Sequence, residues 1–510
     1  MARGGRIHTD AAAVDVIVIG GGTAGCVAAS RLTEDPDRRV LLLEAGPDPR
    51  PVPDLIALAA RQPELVLGSE YVRMYETSRP DGSTFPLLAG RLIGGGSSVN
   101  NMSVIRPIRL DFERWSAFGG DAWTYDAQLP VMRGLESDQD FPEPPLHGNS
   151  GPVWVQRQFT LDMPADPPVA GLIQAASDLG LPRCPDLNVP EPLGICASPY
   201  NVREGRRTGV VAGYLDPARS RPNLDIRADT LVRRLVVDGT RVVGVETDTR
   251  DGPATLAADQ VILATGVFHS PQVLMLSGIG PAAELERLGI RPVLNLDGVG
   301  ANYQDHAVAY VTYEGTSDLR EDWVIPKLRL IYASSQSSGH GDFHIFQRPA
   351  TRLAGLRPLL AFSVHLIEQR TRGRLTLAST DPSADPIVEN NMLEDDRDVA
   401  AIVDAMRFVD SLTRHPELAP YYGTRVGPAD DDWAGFARTT YTSYYHGVGT
   451  CRFGPDGDPL AVTDPTLRVR GLDNLWVADA SVLPVVPHAN TNVSAMLTGE
   501  AVARGVAAAG

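Results

Sequence analysis

The β-branched, apolar run Val14-Asp15-Val16-Ile17-Val18-Ile19 ends on Gly20-Gly21-Gly22-Thr23-Ala24-Gly25, and this junction restricts the fold more than any other stretch. Such a run suits a parallel strand covered on both faces. Glycines fall at the first, third and sixth positions of the turn. Gly20 permits the tight turn, Gly22 lets backbone approach a pyrophosphate, and Gly25 allows close helix–strand packing. The following Cys26-Val27-Ala28-Ala29-Ser30-Arg31-Leu32 reads as a helix whose N-terminal N–H groups and partial positive charge face phosphate. Alone, a glycine turn is a weak signal. A second strand, Val40-Leu41-Leu42-Leu43, strengthens it by ending on Glu44, about 20 residues beyond the glycines, where a carboxylate accepts from both ribose hydroxyls. That carboxylate disfavours the extra phosphate of NADP and leaves FAD and NAD to be separated.

With 510 residues, 43% hydrophobic and 21% charged, and with no repeat or low-complexity tract, the chain is expected to form two intertwined globular domains. Its formal charge of −17 comes from scattered acidic side chains, which makes nucleic acid an unsuitable partner. Cys26, Cys184, Cys196 and Cys451 are far apart in sequence and form no CxxC pair, so reduced thiols in a cytoplasmic protein are expected. The first apolar run leads into glycines rather than a cleavage site, and no stretch reaches the roughly 18 apolar residues of a membrane span. A soluble protein with no membrane partner is expected.

The segment Gly90-Arg91-Leu92-Ile93-Gly94-Gly95-Gly96-Ser97-Ser98-Val99-Asn100-Asn101-Met102 resembles the first signature of the glucose–methanol–choline (GMC) flavoprotein oxidoreductases. Glycines followed by small hydroxylated residues let backbone N–H groups press on a flat ring or phosphate. Gly266-Val267-Phe268-His269-Ser270-Pro271-Gln272 through Gly280 resembles the second signature, with Val267 where a small residue is usual. Asn295 to His306 resembles the segment that passes the pyrophosphate, and Asn474 to Ser481 resembles the strand and turn that bring Asp479 to the cofactor. Asn223–Arg227 and Val242–Val245 resemble a meander whose backbone near Val232 meets adenine.

The resemblance implies an α/β chain, α+β overall: a Rossmann-like FAD-binding domain with an interleaved antiparallel-sheet substrate domain. The first is expected over 10–154, 201–306 and 441–510, the second over 155–200 and 307–440, where Asp342–Phe346 and Ala361–His365 alternate like strands. The implied cofactor contacts are Gly20, Gly22, Gly25, Glu44, Arg91, Gly95, Ser97, Asn100, Met102, Val232, Asp479 and Thr491. Some relatives attach FAD through a histidine just before the signature asparagine. That position is Val99, so noncovalent FAD is expected.

Tyr444-Tyr445-His446-Gly447-Val448-Gly449-Thr450-Cys451-Arg452 resembles the family's active-site histidine segment, which makes His446 the expected base. An alcohol proton needs a positioned base before hydride leaves, and imidazole, with an ordinary pKa ≈ 6.5, suits that exchange. The resemblance makes Asn490 the second catalytic residue, an amide that holds the substrate oxygen without competing for its proton. His488 lies two residues early in that register and is weighed as a loop residue against a site contact. His8, His147, His340, His344, His365 and His415 have no motif context, and no HExxH or comparable cluster points to metal catalysis.

The motif choices are most similar to bacterial pyranose and glycoside 3-oxidases, including those acting on C-glycosides. This implies oxidation of a glucosyl C3 hydroxyl to a 3-keto sugar, with oxygen or a quinone taking the electrons. A small primary alcohol such as choline or pyridoxine is the alternative substrate. Outside that class stand an FAD-containing hydroxynitrile lyase and a redox-silent FAD scaffold.

Overall fold

The computed structural model describes residues 14–509 except 321, 324–327 and 353–356. His8 and the expected domain start at residue 10 lie outside the described residues.

Strand Val14–Ile19 forms the centre of a five-stranded parallel sheet. Its neighbours are Val40–Leu43 and Ala258–Leu263, with Leu224–Arg227 and Leu475–Val477 at the edges. Val16 to Ile19 and Val40 to Leu43 are all buried, as a two-sided sheet requires. Each such side chain contributes on the order of 1.5–3 kcal/mol by leaving water. Helix Thr23–Leu32 follows the first strand and lies against the long C-terminal helix Thr491–Ala509.

Two glycines are fixed by this geometry. Gly20 has φ +100°, and a Cβ there would stand 2.4 Å from the Ala264 carbonyl oxygen. A Cβ on Gly25 would stand 1.9 Å from the Gly20 carbonyl oxygen, so alanine would push the helix off the strand.

Asn223–Arg227 was expected in the meander, but Leu224–Arg227 pairs in parallel with Val40–Leu43. The meander is instead Leu231–Asp238, Arg241–Thr249 and Gly252–Leu256. Leu224 and Ile226 are apolar like the meander strands, and only the pairing distinguishes them.

The second large sheet has eight strands. In order, Tyr422–Gly427, Ala307–Gly315, Leu359–Leu366, Phe343–Gln347, Leu328–Tyr332 and Gly194–Ala197 pair antiparallel. Arg183–Cys184 adds a parallel edge, and Thr442–Ser443 joins Ala307–Gly315. Helix Asp396–Thr413 packs on this sheet. The edge pairing makes Cys184 and Cys196 register partners, although they are separated in sequence; all four cysteines are free and buried.

A four-stranded sheet crosses the expected domain boundary, because Val72–Ser78 and Thr84–Gly90 join Arg374–Thr376 and Ile387–Glu389. Hydrogen bonding therefore ties the first signature segment to the far part of the chain. Among the described residues, no helix is long and apolar enough to cross a membrane.

Candidate active site

A cavity of ≈ 970 Å³ runs between the two large sheets, within the range of a cofactor cleft. Gly20, Gly22, Glu44, Arg91, Gly95, Asn100, Val232, Asp479 and Thr491 all line it, together with His446 and Asn490. The motifs spread along the sequence therefore meet in one space.

The strand ends set the local geometry. Glu44 follows Val40–Leu43, and its carboxylate accepts from Gly21 N–H at 2.8 Å and Gly46 N–H at 2.7 Å. Burial raises its pKa while these N–H donors oppose the rise. The Glu44 carbonyl accepts from Thr230 N–H at 2.8 Å, which brings Leu231 and Val232 beside the carboxylate. Gly22 and Gly95 bring the two glycine turns together: a Cβ on Gly95 would lie 2.9 Å from Gly22 Cα. Asp479 accepts from Gly266 N–H at 2.9 Å and Ser270 Oγ–H at 2.6 Å, joining the second signature to the last strand of the parallel sheet.

Three expected contacts do not line the cavity. Gly25 supports the turn from behind through its packing on Gly20. Ser97 is turned to accept from Val210 N–H at 3.1 Å, and Met102 packs with Tyr200 and Val202. Asn100 lines the cavity while its amide oxygen accepts from Arg207 at 2.6 Å and Met102 N–H at 3.0 Å. The segment expected to pass the pyrophosphate reaches the cavity only at its end, through Asp305.

That end carries two residues the motif reading did not single out. Asp305 is fully buried, and burial raises its pKa against four stabilising hydrogen bonds. One oxygen accepts from the backbone N–H of His306 at 2.7 Å and of His446 at 2.9 Å. The other accepts from Ser443 Oγ–H at 2.5 Å and Tyr303 O–H at 3.2 Å. One carboxylate thus fixes the backbones of two histidines.

His306 then sets the proton positions on His446. Its Nε2–H donates to the Pro487 carbonyl, 3.0 Å away, and a carbonyl can only accept. Burial, reinforced by the charge of His488, pushes the His306 pKa down to about 3, so the ring is neutral and Nδ1 is a lone pair. His446 Nδ1–H donates to it across 3.0 Å. The lone pair of His446 therefore sits on Nε2, where it accepts from Asn490 Nδ2–H at 2.9 Å. Burial holds the His446 pKa well below the ordinary imidazole value, with His306 and Arg329 adding to the effect. The ring is a neutral base with one fixed acceptor nitrogen.

His488 does not line the cavity. It is buried behind it, with Nδ1–H donating to Asp111 at 2.6 Å; burial opposes its charged form, but Asp111 and Glu368 push its pKa up to about 9. His365 does line the cavity, between the rings of Phe346 at 4.6 Å and Tyr444 at 3.9 Å. Tyr310, Phe346, Arg348 and Tyr445 line the same end.

Cradle and donor set suit a bound dinucleotide: glycine backbones at the start of helix Thr23–Leu32, a carboxylate at the second strand end, and an aspartate tying in the second signature. The chain matches the GMC oxidoreductase family over residues 14–308 and again over 369–499. An oxygen-dependent choline dehydrogenase of Burkholderia vietnamiensis is 34% identical over 96% of this chain and 92% of its own. The solved pyridoxine 4-oxidase of Mesorbium loti superposes with TM-score 0.89 at 29% identity, covering 96% of this chain and 98% of that one. A mutant Aspergillus oryzae RIB40 formate oxidase, concerned with FAD modification, gives TM-score 0.89 at 25% identity over 98% and 99%. Taken with the glycine cradle and the histidine–asparagine pair, these matches show that the chain belongs to the GMC oxidoreductases and is an FAD-dependent alcohol oxidoreductase.

Proposed function

We propose that this enzyme oxidises a secondary hydroxyl of a glucosyl sugar or glycoside, C-glycosides included, at C3 to give a 3-keto sugar. The observation that carries this reading is the charge of the cavity's outer end. Tyr310, Phe346, Arg348, His365, Tyr444 and Tyr445 line it, and its carboxylate, Asp305, is already engaged by four donors. Aromatic faces and hydrogen-bond donors suit an uncharged polyhydroxyl ring, whereas the Arg348 guanidinium over Phe346 repels a quaternary ammonium group there.

In this reading His446 Nε2 takes the hydroxyl proton, and His306 keeps Nδ1 of the same ring protonated and the ring in place. Asn490 turns its amide to the substrate oxygen and holds it as the proton leaves. FAD, when bound, supplies the hydride acceptor. Gly20, Gly22, Glu44, Arg91, Gly95, Asn100, Val232, Asp479 and Thr491 hold it, and Val99 offers no nucleophile for a covalent link. Oxygen or a quinone removes the electrons. The parallel sheet supports 10–154, 201–306 and 441–510 as the FAD-binding domain, and the eight-stranded sheet, apart from its strand Thr442–Ser443, supports 155–200 and 307–440 as the substrate domain.

A second reading, a small primary alcohol, is favoured by the likeness to choline dehydrogenase and pyridoxine 4-oxidase. Anaerobic mixing of the yellow protein with glucose, a C-glucoside, choline and pyridoxine separates the two. Bleaching by either sugar supports the proposal. Bleaching by choline or pyridoxine alone overturns it.

A further inference from the structure

Behind the catalytic pair, outside the cavity, three side chains from separate parts of the chain converge: His340, Glu368 and His488. His340 Nε2 lies 2.5 Å from Glu368 Oε2, and His488 Nε2 lies 3.6 Å from the same oxygen. The two rings meet edge to face at 5.3 Å. One ligand atom from each residue falls within 4.8 Å of the others.

The outer atoms are all held. His488 Nδ1–H donates to Asp111 at 2.6 Å, and His340 Nδ1 is hydrogen-bonded to Ser338 Oγ at 3.2 Å. Arg114 donates to Oε1, the other oxygen of Glu368, at 2.5 Å. Both imidazoles therefore turn Nε2 toward Glu368, and a cation seated there takes the place of the Nε2 protons. His488 is only 2% exposed, and its Nε2 has no hydrogen-bond partner although it faces this cluster.

We propose that His340, Glu368 and His488 bind a divalent transition cation of the Zn²⁺ class, with a fourth position open to water. Zinc at about 2.0–2.1 Å from each ligand separates neighbouring ligand atoms by roughly 3.3 Å. The two observed separations bracket that value, so small rotations of the partly exposed His340 and Glu368 complete the set. Two imidazoles with one carboxylate are the donor chemistry zinc prefers, and the open flank gives it a route from solvent. The other histidine–carboxylate cluster, Glu136, Asp138 and His147, differs in kind. There both imidazole nitrogens already meet carboxylates, at 2.8 Å each, and Arg106 and Arg157 neutralise the acids.

His488 stands between Pro487, whose carbonyl orients His306, and Asn490, which meets His446. A cation here ties that loop to the segment after strand Leu359–Leu366 without entering the cavity. It is a tether behind the reaction rather than a participant in it.

The test is equilibrium dialysis of the FAD-loaded full chain against ZnCl₂, with zinc and flavin measured on the same samples. The parent and a control, His415→Ala, are expected to hold one zinc per chain. His340→Ala and Glu368→Gln are expected to bind it at least ~10-fold more weakly at parental flavin content. Added zinc should also raise the melting temperature of the parent but not of His340→Ala, in which parental flavin content rules out a folding defect. Absence of zinc binding by the parent, or equal binding by the parent and both site variants, overturns the assignment.

Discussion

Asn490 Nδ2 lies 2.9 Å from His446 Nε2, so the amide covers the one lone pair that a substrate hydroxyl would reach if His446 is the base, as proposed. Substrate binding therefore exchanges one hydrogen bond for two: hydroxyl to imidazole, and amide to the hydroxyl oxygen. Asn490→Ala should lower kcat/KM for flavin reduction by about 10²-fold, the usual effect of losing one donor to a developing oxyanion. Flavin content should not change, and rapid-mixing absorbance measures both quantities.

Removal of the base has a larger effect. His446→Ala should retain FAD but reduce it ~10²–10⁴-fold more slowly, since general-base assistance is lost while the cofactor cradle is intact. Because burial holds His446 well below the ordinary imidazole pKa, its neutral form is already complete at neutral pH. The reduction rate in the parent should stay level from pH 8 down through 6.5 and fall only in more acid solution. A steep rise between pH 6.5 and 8 would show that the base is charged at neutrality.

His306 acts through His446. His306→Leu removes the acceptor for His446 Nδ1–H and frees the ring to present either nitrogen, so kcat should fall about 10-fold or more while KM changes little. His306→Gln retains an acceptor and should recover part of the loss. A merely structural role would give no such recovery, and steady-state kinetics of the two variants distinguishes them.

Alongside His488, His147 contributes to the alkaline limb of stability. Buried against Glu136 and Asp186, its pKa is pushed up to about 9, although burial alone acts in the opposite direction. A folded pKa raised above the unfolded one stabilises fully below about 6.5, and that contribution is lost as pH rises through about 9. Thermal melts of the parent should therefore decline between pH 7 and 10. His147→Gln should melt lower at pH 7 and show a shallower alkaline decline.

Patterns confined to neighbouring residues were legible in the sequence. The first strand, the glycine turn and the helix after it follow from β-branching, glycine spacing and helix periodicity, and each forms as expected. His446 and Asn490 were found through their segments, and the structure brings them into hydrogen-bond contact. Relationships set by pairing between distant strands were not legible. Leu224–Arg227 has no local feature that assigns it to the parallel sheet, and Cys184 meets Cys196 only because their strands share an edge. His306 and Asp305 end the segment Asn295 to His306, but their role depends on Pro487 and Ser443, far along the chain. His340, Glu368 and His488 have no common spacing that a motif could express.

Strand Leu475–Val477 completes the sheet begun by Val14–Ile19, and helix Thr491–Ala509 covers the first helix. Strand Ala258–Leu263 therefore has an unpaired outer edge, and the first helix an uncovered face, until residues 475–509 have been made. The cavity that Gly20 and Gly22 share with Asn490 and Thr491 cannot close before those late residues are made.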